Sequence, residues 1–453
     1  MPGARVKSAR MIFFAEEGRP PPQSYKEIEN STPETYHRSH FGARWWCFVR
    51  PAVRSGQFLE PTFPFASAVF RDYNPAVMTA KIKKFLQDRR PETPCLVVDL
   101  DVIAENYREL LRALPMADIY YAVKANPAKE ILSTLLALGA NFDTAGIQEI
   151  ETCLDIGASP DLITFGNTIK KSRDIAKAHE YGVRLFAFDS RAELEKIKTE
   201  APGAAVYCRI FMDVGGADWP LSRKFGCEPE LAVELLKDAA LSGLSPVGLS
   251  FHVGSQQRDL TQWDAAIGRC RGVFDELAKI GVDLELLNIG GGFPARYRQE
   301  VETTEAYGVA IRDALVKHFG NRPPNLVAEP GRSIAGDAGV IQTEIVLIAE
   351  KSREPDRRWV FLDVGKFGGL PETFEEAIQY RIKTPHDGGP TGPVVLAGPT
   401  CDEVDILYDK AGYSLPIALR TGDRIEIQSA GAYTSTYASI GFNGFPPLSE
   451  YYI

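Results

Sequence analysis

The chain has 453 residues, 44% hydrophobic and 25% charged, with a formal net charge of −9 and a pI near 5.4. That length holds two or more domains or one large barrel with additions, and the acidic balance argues against nucleic acid or an anionic membrane as the main partner. No apolar run reaches the length of a bilayer span, and seven scattered cysteines without a C-x-x-C pair point to reduced thiols in a cytoplasmic enzyme, not to disulfides or a structural metal.

Residues 1–77 read differently from the rest. They carry nine of the 31 prolines and ten Lys/Arg against seven Asp/Glu, a balance of +3 where the remainder is −12. Neither Arg19-Pro-Pro-Pro22 nor Ser31-Thr-Pro-Glu34 shows a helix or strand period. The apolar run Met11–Ala15 is too short for a signal-peptide core, and the segment is too acidic for a transit peptide. We expect a weakly structured N-terminal extension, read as an upstream start because Met78 directly precedes well-patterned sequence. The alternative is a strap docked through Trp45, Trp46 and the Phe-rich 58–70 run.

Residues 78–100 predict a lead-in helix, 79–90, and a strand, Cys95–Leu100. Short β-rich runs then alternate with amphipathic helical patterns such as Glu130–Leu138 and Ile147–Leu154. The strand candidates are Ile119–Val123, Ala140–Asp143, Leu162–Phe165, Val183–Phe188, Ala205–Phe211, Val247–His252, Leu284–Ile289 and Leu326–Glu329. Eight successive units predict a (β/α)8 barrel over 101–337. Beyond it the period approaches 2 at Val340–Ile348, Trp359–Leu362, Val394–Leu396 and Arg424–Gln428. These runs predict a mostly β domain over 338–453, which the strand before the barrel rejoins.

In such a barrel, catalytic groups project from the carboxyl ends of the strands. Those ends carry Lys124, Asp143, Asn167, Arg209, His252 with Ser255, Gly290-Gly291-Gly292, and Glu329 with Gly331 and Arg332. Lys124 closes an apolar, aromatic strand. Partial desolvation there would lower its pKa and free an amine for Schiff-base chemistry; the plain alternative is a lysine with its head in water. Pyridoxal phosphate requires such an amine, backbone N–H donors for its phosphate, a flat partner for its ring and a carboxylate at its ring nitrogen. The lysine, the glycine run with Ser255 and Arg332, His252 and Glu329 match those requirements in turn.

The motifs Tyr-Tyr-Ala-Val-Lys-Ala-Asn-Pro, Phe-Asp-Thr-Ala-Gly, Ser-Phe-His-Val-Gly-Ser, Asn-Ile-Gly-Gly-Gly-Phe-Pro, Ala-Glu-Pro-Gly-Arg-Ser, Gly-Pro-Thr-Cys-Asp and Gly-Ala-Tyr follow in that order. From about residue 79 to Ile453 the chain resembles the fold-type III pyridoxal-phosphate decarboxylases, most closely the bacterial ornithine decarboxylases. The resemblance implies that Lys124 binds the cofactor aldehyde, with Asp143 and Glu149 in support. It implies His252 stacked on the ring, Glu329 at the ring nitrogen and Arg209 as outer support. Ser255, Gly292, Arg332 and Tyr433 would hold the phosphate, with Gly290, Gly291 and Gly331 also among the cofactor-binding residues. Cys401 would come from the partner subunit of a homodimer and return a proton to Cα, and Asp402 would bind the distal ammonium of a small cationic amino acid. Glu372, Glu375 and Glu376 lie in the segment aligned with the family's specificity-setting turn; they are second-carboxylate candidates, or simply a solvated helix start.

The implied reaction is decarboxylation of L-ornithine to putrescine and CO2. Alternatives are a dual lysine/ornithine enzyme, a diaminopimelate or arginine decarboxylase, an amino-acid racemase, and an inactive homologue that binds a regulator. A racemase would place an arginine at the ring nitrogen, where this chain has Glu329. An inactive homologue would have lost cofactor residues that this chain keeps.

Overall fold

The computed structural model describes residues 78–213, 215–219, 224–351 and 353–453, so the expected extension lies outside the described residues. Helix α1 (Ala80–Arg89) starts at Thr79, whose side chain accepts the Ile82 N–H. Strand β1 (Cys95–Val98) ends two residues earlier than the sequence suggests, because Asp99 caps helix α2 (Leu100–Ala113) by accepting the Asp101 N–H.

Eight parallel strands then close on themselves: β2 (Ala117–Ala122), β3 (Asn141–Thr144), β4 (Ile163–Phe165), β5 (Leu185–Phe188), β6 (Ala205–Arg209), β8 (Ser245–Ser250), β10 (Leu286–Asn288) and β11 (Asn325–Ala328). Strands β7 (Ala217–Trp219) and β9 (Ser255–Gln257) form a separate antiparallel ribbon from the segments after β6 and β8. All eight expected runs are barrel strands. Several stop earlier than expected, before Val123, Phe211, His252 and Glu329. A ladder that ended later would fix these residues in the sheet; as built, Lys124, His252 and Glu329 stand on turns beyond it, while Asp143, Arg209 and Asn288 sit in the last residues of their strands.

The second layer is a nine-stranded sheet of β1, β12 (Gly339–Lys351), β13 (Glu354–Leu362), β14 (Ile382–Lys383), β15 (Thr391–Ala397), β16 (Ile406–Tyr408), β17 (Ser414–Pro416), β18 (Arg424–Gln428) and β19 (Ser449–Tyr452). Strand β18 alternates as a half-buried strand must, with Ile425 and Ile427 inside. β1 is covered on both faces: Leu96 and Val98 join the main core, while Cys95 and Val97 pack with Ile82, Leu86 and Val340. It lies between β12, antiparallel, and β19, parallel, so the segment before the barrel is built into the β domain. The short strands β14, β16, β17 and β19 escaped the sequence reading, being too brief to show a period. Among the described residues no helix is long and apolar enough to cross a membrane.

Candidate active site

Lys124 occupies a one-turn 3-10 helix, Val123–Ala125, at the end of β2. Its Nζ lies 3.4 Å from Asp143 Oδ2 at the end of β3, and Asp143 is buried. The lysine side chain is 47% exposed. Burial opposes its charge, but Asp143, then Tyr433 and Glu329, outweigh burial and raise its pKa above the ordinary value. The expectation of a lowered lysine pKa is therefore corrected: the carboxylates that gather around the amine hold its proton more firmly.

The carboxyl groups bear the matching perturbation. Glu329, just past β11, is pushed up to about 7, first by burial and next by Asp143, against the opposing pull of Lys124. Glu149 is also raised to about 7 by burial, although its Oε2 accepts the Ala145 N–H at 2.6 Å. Arg209, at the end of β6, is lowered by burial and held up by Glu329, Asp189 and Asp143. It lies 5.2 Å from the Phe225 ring centroid.

His252 follows β8. Its Nδ1 accepts the Gly254 N–H at 2.9 Å, and burial, then Arg209 and Lys124, drive its pKa well below the usual imidazole value. The ring is accordingly neutral and held in one orientation. Asn288 joins two parts of the site: its Nδ2 donates to Glu329 Oε1, and its Oδ1 accepts the Gly290 N–H at 2.9 Å. Gly290 thus spends its donor on Asn288 and, contrary to expectation, has none to offer a phosphate.

The glycine run is required by close approach. A Cβ at Gly290 would lie 2.3 Å from Phe251 O, at Gly291 2.7 Å from Glu329 O, and at Gly292 2.6 Å from Gly254 O. Gly331 has the same function one strand on, where a Cβ would meet Ala125 Cβ at 2.8 Å beside the Lys124 turn. Among the described residues, the Gly291 and Gly292 N–H groups meet no acceptor.

Arg332, 3% exposed, gathers the expected phosphate cluster around itself. Its Nε donates to Ser255 Oγ at 3.1 Å, and its Cζ lies 4.7 Å from the Tyr433 ring centroid. Tyr433 in turn donates its N–H to Ala125 O at 2.9 Å, tying the β domain to the Lys124 turn. The guanidinium also donates to both Glu372 oxygens, at 2.7 and 2.6 Å, and to Tyr297 OH at 2.7 Å. The expectation of Glu372 at the substrate is thereby corrected: both its oxygens are bound to this arginine in a buried pair. Glu376 is likewise engaged, its Oε1 accepting the Asp409 and Lys410 N–H groups at 2.8 and 2.7 Å. Cys401 and Asp402 lie exposed on the β domain, and no hydrogen bond or ion pair joins them to Lys124 within the described chain.

Sequence reasoning missed Asn288, although it stands in the Asn-Ile-Gly-Gly-Gly motif. It also missed Tyr207, whose hydroxyl lies 3.1 Å from Thr164 Oγ1 and which feels the Glu329 and Asp143 charges. Nothing in the alternation of β6 distinguishes Tyr207 from a core aromatic.

The donors and acceptors fit pyridoxal phosphate. They comprise one amine, two free backbone N–H groups beside a serine and an arginine, a neutral flat imidazole, and a carboxyl near neutrality.

Comparison with known proteins agrees. The family model for the pyridoxal binding domain of pyridoxal-dependent decarboxylases matches residues 100–336. The chain is 35% identical over 370 residues to the lysine/ornithine decarboxylase of Selenomonas ruminantium, covering 81% of this chain and 91% of that one. The crystal structure of a lysine/ornithine decarboxylase from Vibrio vulnificus complexed with cadaverine matches with a TM-score of 0.74 at 34% identity, over 83% of this chain and 100% of that chain. The arginine decarboxylase of Paramecium bursaria Chlorella virus, bound to agmatine, matches with a TM-score of 0.76 at 30% identity and the same two coverages. By motif, fold and site alike, the chain belongs to the fold-type III pyridoxal-dependent decarboxylases, close to the ornithine decarboxylases, and its cofactor is pyridoxal 5′-phosphate.

Proposed function

We propose that the protein is a cytoplasmic homodimer that decarboxylates L-ornithine to putrescine and CO2. One observation carries this reading: the barrel end brings the Lys124 amine, the Asp143 and Glu329 carboxyls and the neutral His252 ring into a single electrostatic unit. When bound, the cofactor supplies a ring that accepts the electron pair left as the Cα–carboxylate bond breaks.

The chain's own residues have separate tasks. Lys124 would hold the cofactor aldehyde, and Asp143, 3.4 Å away, would take the proton its ammonium must lose. His252 offers a ring face without adding charge. Glu329, oriented by Asn288, would face the ring nitrogen, where a carboxyl titrating near 7 shares a proton readily. Gly291 and Gly292 N–H, Ser255, Arg332 and Tyr433 would hold the phosphate, with Gly331 giving their loop room to approach. Cys401 from the second copy would return a proton to Cα, and Asp402 would pair with the distal ammonium.

A second reading is dual action on lysine and ornithine, favoured by the names of the Selenomonas and Vibrio relatives. One methylene separates the substrates, a difference worth about 1–3 kcal/mol. With both Glu372 oxygens and one Glu376 oxygen bound to other groups, Asp402 is the expected counter-charge, and Glu375 stays a second-carboxylate candidate. CO2 release from ornithine, lysine, arginine and diaminopimelate by cofactor-loaded protein tests the proposal. Ornithine is expected to react fastest; a faster arginine or diaminopimelate reaction, or none with any of the four, contradicts it.

A further inference from the structure

Asp405 is 2% exposed, and among the described residues no lysine or arginine nitrogen lies within ion-pair distance of its carboxylate. Its charge is held by hydrogen-bond donors from two separate segments. Oδ1 accepts the Lys366 N–H at 2.7 Å; Oδ2 accepts the Thr400 N–H at 3.1 Å and the Thr400 hydroxyl at 2.7 Å. Its own backbone closes the second segment into a tight loop, the N–H donating to Asp402 O at 3.1 Å and the carbonyl accepting the Gly398 N–H at 2.8 Å. Two glycines make the approach possible: a Cβ at Gly365 would lie 2.2 Å from Oδ1, and one at Gly398 2.3 Å from Oδ2.

The two segments so joined are those that bear on the site. The first runs from Gly365 to Glu372, whose carboxylate grips Arg332. The second contains Cys401 and Asp402. A third segment supports the second from outside: the Cys401 N–H donates to Asn443 Oδ1 at 2.8 Å, and the neighbouring Phe442 ring lies 4.5 Å from Phe367. The Lys366 ammonium feels the Asp405 charge without pairing with it directly, so the donors carry most of the compensation; a buried carboxylate so satisfied fixes its donors in return.

We propose that Asp405 is a positioning residue that fixes the Cys401–Asp402 loop against the Lys366–Glu372 segment, so that thiol and carboxylate are presented in one geometry relative to the cofactor-binding cluster. This rests on the reading above, in which Cys401 and Asp402 act at the active site. Asparagine at 405 would turn an N–H2 toward backbone donors and break the clasp, while glutamate is too long for the space between the two glycines.

The test compares D405N, D405E, N443A, T400V and T400S with C401S and D402N, all as cofactor-loaded full-length protein. It measures kcat and KM for ornithine, the dissociation constant of pyridoxal phosphate from visible absorbance, and thermal melting. A misplacement of about 1 Å costs on the order of a hundredfold in rate, so D405N and D405E are expected to lose ten- to a hundredfold in kcat with cofactor affinity within about twofold of wild type. N443A and T400V are expected to fall in between, and T400S, which keeps the hydroxyl, to stay near wild type. The clasp is overturned if D405N keeps wild-type kcat while C401S loses it. It is equally overturned if D405N loses cofactor affinity and melting temperature in step with activity, the mark of a general folding role. Wild-type kinetics in both C401S and D402N would remove the loop from the active site, and the clasp's purpose with it.

Discussion

Glu329 and Lys124 show how one cluster sets opposing demands on its members. The carboxyl is raised toward 7 because burial and Asp143 disfavour its charge, and the ammonium is raised because the carboxylates favour its own. A carboxyl whose folded pKa exceeds its unfolded value binds more protons in the native state. Glu329 should therefore make cofactor-free protein less stable as pH climbs from about 4.5 to 7, by up to about 1.4 kcal/mol per pH interval of one, and Glu149, raised to about 7 as well, should act in the same direction. Glu329→Gln should remove about half of that dependence and leave the part due to Glu149, as urea melts at several pH values will show, and an unchanged slope would contradict the assignment. The same variant should lower kcat by on the order of a hundredfold, the cost of one oriented electrostatic group. The raised lysine also marks a limit of sequence reading. The apolar neighbours of Lys124 suggest desolvation alone, whereas Asp143 and Glu329 come from two other strands, and their charges decide the sign.

The turns beyond the strands are the elements that make the site. At Gly290, φ is +64 and a Cβ would strike Phe251 O, so Gly290→Ala should destabilise the protein by about 1–3 kcal/mol and weaken cofactor binding. Equal cofactor affinity in that variant would show that the loop can re-form around a methyl group. Glu372 ties the β domain to the barrel through Arg332. Removing it as Glu372→Ala leaves a buried guanidinium half-satisfied, at an expected cost of about 3–5 kcal/mol in denaturant unfolding. A variant as stable as wild type would show that the pair is not needed to hold the two layers together. The barrel was legible because eight β-rich runs alternate with helical periods, and β18 because its alternation is clean. The engagement of Glu372 and Glu376 was not, since their partners are forty residues away in Arg332 and about thirty-three in Asp409. Acidic residues in a turn look alike until the fold supplies the groups they face.

At the scale of the whole molecule, Cys401 and Asp402 on the β domain and Lys124 at the barrel end belong to one chain, and no hydrogen bond or ion pair joins them in it. If each active site takes its lysine from one copy and its thiol from the other, mixing Lys124→Ala with Cys401→Ala protein should restore activity to about a quarter of wild type: half the dimers are then hybrids, each with one intact site of two. Two inactive proteins that stay inactive when mixed and refolded together would confine the site to a single chain. All of this depends on Lys124 being the covalent anchor. The most direct measurement is borohydride reduction of the protein loaded with pyridoxal phosphate, followed by peptide mass mapping. The account predicts the label on the peptide containing Lys124 and its absence from Lys124→Ala; a label on Lys170 or Lys366 instead, or on no lysine, would contradict it.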